Sequence, residues 1–173
     1  MASGDGGAPA DVEVVGLVRS PPEKVFEFLS DLRNHWRVAD PFVHVLTLES
    51  SQGGAPDGAT VAVRGPIGVR RTAQTRVVAA RGPRLIIGTA EICEQTRARV
   101  SWTLAPRFGD TRVRLAAEID RAGPLDRLLL AAGGRRWLTR RFRAALERLD
   151  RELSAVVPVD GPGHDHVAAE RPA

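Results

Sequence analysis

Tyrosine is absent from this chain of 173 residues, cysteine and lysine each occur once, and no apolar run reaches the length of a membrane span. Each gap excludes something. A lone Cys93 leaves no internal disulfide and fits a reducing, cytoplasmic setting. A spanning helix needs roughly 18 or more consecutive apolar residues, which the sequence does not supply. Met1 to Ala10 is small and polar, carries Asp5 and lacks a basic-then-apolar order, so it reads as a flexible lead and not as a signal peptide. Lys24 is the only lysine, so the basic charge is almost all arginine. The pI near 10.7 overstates that charge, because the formal net charge is only +4. Arginine comes together with abundant Ala, Gly and Pro, the bias of a GC-rich coding sequence, and along the last helix it alternates with acids. A nucleic-acid footprint would be more one-sided, so nucleic acid is not the expected partner.

What remains is one domain of ordinary size, with enough chain for a real core. Its expected limits are residues 11–154, between a flexible N-terminus over 1–10 and a disordered tail over 155–173 rich in Pro, Gly, Asp and Ala. Val12, Val14 and Val18 give a first strand with an apolar face. Ser20-Pro21-Pro22-Glu23 reads as a helix start, with Ser20 as cap and Glu23 completing a capping box. Val25, Phe26, Leu29 and Leu32 make a short amphipathic helix, and a second helical piece around Trp36 closes before Pro41. Six strand-like segments follow, from Phe42–Glu49 to Thr111–Ile119. In the last two, Ala98, Val100, Trp102 and Leu104, and then Val113, Leu115, Ala117 and Ile119, alternate with polar residues. That is the pattern of antiparallel strands with one wet face.

The long closing segment starts at Pro124. Leu138, Phe142, Ala145, Leu146, Leu149 and Leu153 recur at helical spacing, and an earlier stripe of Leu125, Leu128, Leu129 and Ala132 is out of phase with them. Gly133-Gly134 at the junction costs about 2 kcal/mol relative to alanine and predicts a break or sharp kink. The pairs Arg143–Glu147, Glu147–Arg151 and Arg148–Glu152 are spaced to support the helix surface by ~0.3 kcal/mol each. The fold class is therefore α+β: a curved antiparallel sheet of about seven strands wrapped around a long C-terminal helix, with two short helices after the first strand.

That order, with particular residues, resembles the START-type lipid-transfer and polyketide cyclase/dehydrase superfamily (SRPBCC) and its helix-grip fold. The matching stretches are Ser20 to Asp31, Trp36 with Asp40-Pro41, Gly82-Pro83-Arg84-Leu85, Trp102-Thr103-Leu104-Ala105-Pro106, and Leu146, Leu149 and Glu152 of the last helix. The resemblance implies an apolar cavity between sheet and helix, occupied by a lipid, polyketide or other hydrophobic molecule. It carries over no catalytic signature, and the tyrosine that helps some aromatic cyclases orient a polyketide has no counterpart here.

Within that frame the ligand-contacting candidates are Trp36, His44, Arg64, Gln74, Trp102 and Leu138. His44 and Glu91 are the candidate proton-transfer groups, since an imidazole or a carboxyl with a raised pKa can act as acid or base near neutrality. His35 lies beside Trp36 near the expected pocket mouth. Arg64, Arg71, Gln74 and Arg76 lie on middle strands whose parity the sequence leaves open, and solvated arginines are the default there. Cys93 reads as a packed thiol, and His164-Asp165-His166 in the tail is too isolated for a metal site, so neither cofactor nor metal is expected. The leading expectation is a cytoplasmic carrier or sensor of a hydrophobic small molecule. The alternatives are a polyketide cyclase/dehydratase-type enzyme and an RNA-, ribosome- or protein-binding module using the arginines of the last helix. No feature of the sequence sets an oligomeric state.

Overall fold

A computed structural model describes residues 10–39, 41–50 and 56–155. Residues 1–9 of the proposed flexible lead, the tail beyond Ala155 with its His164-Asp165-His166, and Asp40 of the Asp40-Pro41 pair lie outside these residues. Strand β1 (Val12–Val18) leads to helices α1 (Pro22–Ser30) and α2 (Leu32–Ala39). Six strands follow: β2 (Val43–Glu49), β3 (Gly58–Arg64), β4 (Arg70–Arg81), β5 (Leu85–Ile92), β6 (Thr96–Arg107) and β7 (Asp110–Arg121). The chain ends on α3 (Pro124–Leu129), a turn over Leu130–Gly134, and α4 (Arg135–Ser154).

The seven strands form one antiparallel sheet in the order β1-β7-β6-β5-β4-β3-β2. Register shifts at Val45/Thr47, Val77/Ala79 and Arg97/Ala98 place bulges in three of the ladders. Bulges increase local twist and bend a strand, which is how a sheet this long curls. Its outer face is laced with cross-strand ion pairs such as Arg114–Glu13 at 2.7 Å and Arg99–Glu118 at 3.6 Å. Exposed pairs of this kind contribute about 0.2–1 kcal/mol each.

Helix α1 begins at Pro22 without a side-chain cap, so Ser20 does not cap it. The Ser20 carbonyl instead accepts a hydrogen bond of 2.6 Å from the buried Thr111 hydroxyl of β7, which ties the helix entrance to the sheet. At the other end of α1, the carbonyls of Phe28 and Leu29 accept from Asn34 Nδ2 and His35 Nε2 of α2. These are carbonyls that a helix terminus leaves unpaired. Asp31 accepts from the Arg33 amide at 3.0 Å and so supports the start of α2.

The kink expected at the glycine pair is present. Ala132 and Gly133 leave helical geometry, with Gly133 at φ 103°, and a Cβ on Gly134 would lie 2.6 Å from the Leu129 carbonyl oxygen. Beyond it, Phe142, Ala145, Leu146 and Leu149 of α4 are buried, as the stripe requires. The stripe of α3 behaves differently: Leu125 and Leu128 are exposed, and only Leu129 turns inward. Two acids of α4 pair across elements. Asp150 meets Arg19 at 2.8 Å, and Glu152 meets Arg37 at 2.5 Å.

Two clusters share the interior. The larger joins α1, α4 and the β1, β5, β6 and β7 strands through Leu29, Ile86, Trp102, Val113, Leu146 and Leu149. The smaller gathers Leu32, Val43, Ala59, Val61 and Ala73 under α2 and the β2–β4 end.

Candidate functional site

The space between the two core clusters is a cavity. A first chamber of about 260 Å³ takes Leu32, Val43, Val61 and Ala73 from the smaller cluster and Ile86, Trp102, Leu115 and Phe142 from the larger. A second chamber of about 170 Å³ lies toward α3 and is lined by Leu129, Leu130, Gly134 and Trp137 among others. Phe42, Val63, Ile92, Ala98, Ala117 and Leu138 line both, so the chambers adjoin. Inward-facing parity of the curved sheet supplies one wall and the apolar side of α4 the other. Ligand pockets are commonly about 300–1,000 Å³, and the two adjoining chambers suit a small hydrophobic molecule.

Trp36, Trp102 and Leu138 are where the sequence expectation needs them, in the wall of the first chamber. His44, Arg64, Gln74 and Glu91 are not. Val43 and Val45 point inward on β2, so His44 between them is exposed on the outer face. The same alternation turns Arg64 out at the end of β3, after inward Val61 and Val63. Gln74 flanks the buried Ala73 on β4 and is likewise exposed. Glu91 sits outside on β5, ion-paired with Arg97 at 3.2 Å and Arg121 at 3.5 Å. Strand parity therefore removes these four from the cavity and leaves other groups to supply its chemistry. Cys93 is exposed, in a turn with positive φ, and not packed.

One such group is His35. It lines the first chamber beside the Trp102 ring, with centroids 5.9 Å apart. A carbonyl can only accept, so the bond from Nε2 to Leu29 fixes the proton on Nε2 and leaves Nδ1 as an acceptor. Burial pushes the His35 pKa below the ordinary imidazole value, with the Leu29 hydrogen bond and Asp31 acting in the opposite direction. A second polar point is Trp36 Nε1, a buried donor with no acceptor among the described residues.

The third group is a buried polar trio in the second chamber, which sequence reasoning did not assemble. Arg71 takes the inward parity of β4 with Ala73 and Thr75. Its Nη1 donates to Asp126 Oδ1 at 2.6 Å, and each side chain of the pair is only 16% exposed. Thr96 Oγ1 donates to Asp126 Oδ2 and accepts from the Gly123 amide at 2.9 Å. The partners come from β4, β6 and α3, so no local spacing announces them. Phe42 and Trp137, missed as site residues, meet edge-to-face at 5.9 Å between the chambers' walls and α4, with the Arg141 guanidinium 5.4 Å from the Trp137 ring. No group of His, Cys, Asp or Glu among the described residues is arranged to hold a metal ion. No helix among them is long and apolar enough to cross a membrane.

This architecture, a curled sheet gripping a helix around a split core, is a ligand-binding fold. The chain belongs to the family described as polyketide cyclase / dehydrase and lipid transport, whose model matches residues 9–154. Similar solved structures include the KanY protein (19% identity, TM-score 0.66, covering 86% of this chain and 99% of that one). A Thermus thermophilus protein has 17% identity and a TM-score of 0.65, covering 84% of this chain and 99% of its own. A Rhodobacter sphaeroides protein has 24% identity and a TM-score of 0.56, covering 87% and 97% respectively. At these identities the structures attest the fold alone. No curated protein matches the sequence.

Proposed function

We infer that this protein binds a small hydrophobic molecule in the split-core cavity and serves as its carrier or sensor, in the cytoplasm. The observation that carries the reading is the cavity itself. It lies between two apolar clusters that Val77 bridges, and its walls are almost wholly aliphatic and aromatic. Protein interiors are close-packed, and an internal space lined by Leu, Val and Phe forfeits the contacts that would fill it. Occupancy by an apolar ligand restores those contacts. The family description supports the same reading.

The chain provides its own reporter. All three tryptophans, Trp36, Trp102 and Trp137, line the cavity, and there is no tyrosine background. Titration with 1-decanol is expected to change tryptophan emission saturably, at one ligand per chain. A linear, unsaturable response would remove the ligand-binding reading.

The enzyme alternative has one observation in its favour: His35 in the chamber wall, with a depressed pKa and Nδ1 left as the acceptor nitrogen. It stands second because, among the described residues, the other ionisable side chain in that chamber's wall is Arg76, which is ion-paired with Glu49 at 3.5 Å and Asp57 at 3.8 Å.

A further inference from the structure

The second chamber carries more information about the ligand than the first. Apart from the Trp137 indole, the side chains in its wall that can hydrogen-bond are, among the described residues, Arg71, Thr96 and Asp126, and Asp126 accepts from both of the others. We propose that this trio anchors the polar end of the ligand, and that the ligand is an uncharged hydrophobic molecule bearing a hydroxyl group. The proposal rests on the reading of the cavity as a ligand site and specifies what that site selects.

Three features lead there. First, the trio has capacity to spare. A guanidinium carries five N–H donors, and the hydrogen bond that Arg71 makes among the described residues uses one of them, on Nη1. Each Asp126 oxygen accepts once and can accept again. A hydroxyl can accept from Arg71 and donate to Asp126 together. Second, the pair is electrically balanced. One positive and one negative group already compensate each other at 2.6 Å. A ligand carboxylate would bring an extra negative charge out of water with nothing left to neutralise it. That disfavours fatty-acid anions, although an arginine in the wall would otherwise invite them. Third, the walls shared with the first chamber let an apolar body extend from the anchor across Phe42, Ala98 and Leu138 toward Trp102. A molecule lacking any polar end would desolvate the trio without repayment.

The test uses the full chain and three ligands of matched length at about pH 8, where the carboxylate is ionised: 1-decanol, 1-chlorodecane and decanoate, followed by tryptophan fluorescence. Wild-type protein is expected to bind decanol about tenfold more tightly than chlorodecane, the effect of one satisfied buried hydrogen bond, and more tightly than decanoate. Equal affinities for decanol and chlorodecane, or decanoate as the tightest ligand, would overturn the proposal while leaving the cavity reading intact. If none of the three binds, the cavity reading fails and the proposal with it. In R71M/D126L, which removes both charges and leaves neither unpaired, the decanol-to-chlorodecane ratio is expected to fall to within about twofold. A ratio still near tenfold in a folded double variant would place the anchor elsewhere. The wild-type ranking decides the matter even if the double variant does not fold.

Discussion

His35 shows how one side chain can serve fold and site together. Its Nε2 proton closes the end of α1, and its ring forms part of the chamber wall against Trp102. Because burial lowers its pKa, the folded state resists protonation that the unfolded chain accepts. The folded protein therefore binds fewer protons than the unfolded one once the pH drops below the ordinary imidazole value of about 6.5. Stability is complete above that pH. It falls as the pH is lowered, and the loss stops growing below the depressed folded pKa. One such group contributes at most about 1.4 kcal/mol per pH unit. Urea midpoints between about pH 7 and 5.5 should fall in the wild type, and His35→Gln, which keeps a donor for Leu29, should flatten that decline. An unchanged slope would mean that His35 titrates alike in the folded and unfolded states, so that burial does not depress its pKa. The residues also show where sequence reading succeeds and fails. Val43-His44-Val45 already sets His44 opposite two apolar neighbours, so its outward position was legible from alternation. The stretch Arg70-Arg71-Thr72-Ala73-Gln74 is polar on both parities, and only the pairing of Val61 with Ala73 across the ladder decides that Arg71 turns inward. Asp126 reads locally as an acid in a helix's first turn, and its true partner lies 55 residues away.

At the level of elements, the sequence was most informative where periodicity was strict. The alternation in β6 and β7 and the α4 stripe both predicted the buried faces, because a single solvent boundary imposes period 2 on a strand and about 3.6 on a helix. The Gly133-Gly134 break was equally plain, since two poor helix formers stand where the apolar stripe changes phase. What the sequence could not show is that α3 leaves Leu125 and Leu128 in solvent, with Asp126 tied instead to the sheet. Gly133 at φ 103° is a conformation L side chains rarely adopt, and an added Cβ there meets no other atom within 4 Å. Gly133→Ala is accordingly a clean backbone test. It should destabilise the protein by about 1–2 kcal/mol through local strain, seen as a lower urea midpoint with an unchanged m-value. No loss of stability would show that the turn does not need the left-handed region and that α3 and α4 can join in another way.

For the whole molecule, the central feature is that the hydrophobic core is divided. Among the described residues Val77 alone packs against both clusters, the unfilled space beside it forfeits packing contacts, and that arrangement makes physical sense if an apolar ligand occupies the gap. The sequence foresaw a cavity only through its resemblance to a family that has one. Its position between the clusters, its second chamber and the Arg71–Asp126–Thr96 trio are products of tertiary packing. The most direct test is native mass spectrometry after incubation with 1-decanol, comparing the wild type with Ala98→Phe. Ala98 lines both chambers, and the larger ring would fill the space between them. A one-to-one adduct is expected in the wild type, with its loss in a variant that remains folded by circular dichroism. No adduct in the wild type, or an equal adduct in both proteins, would contradict it.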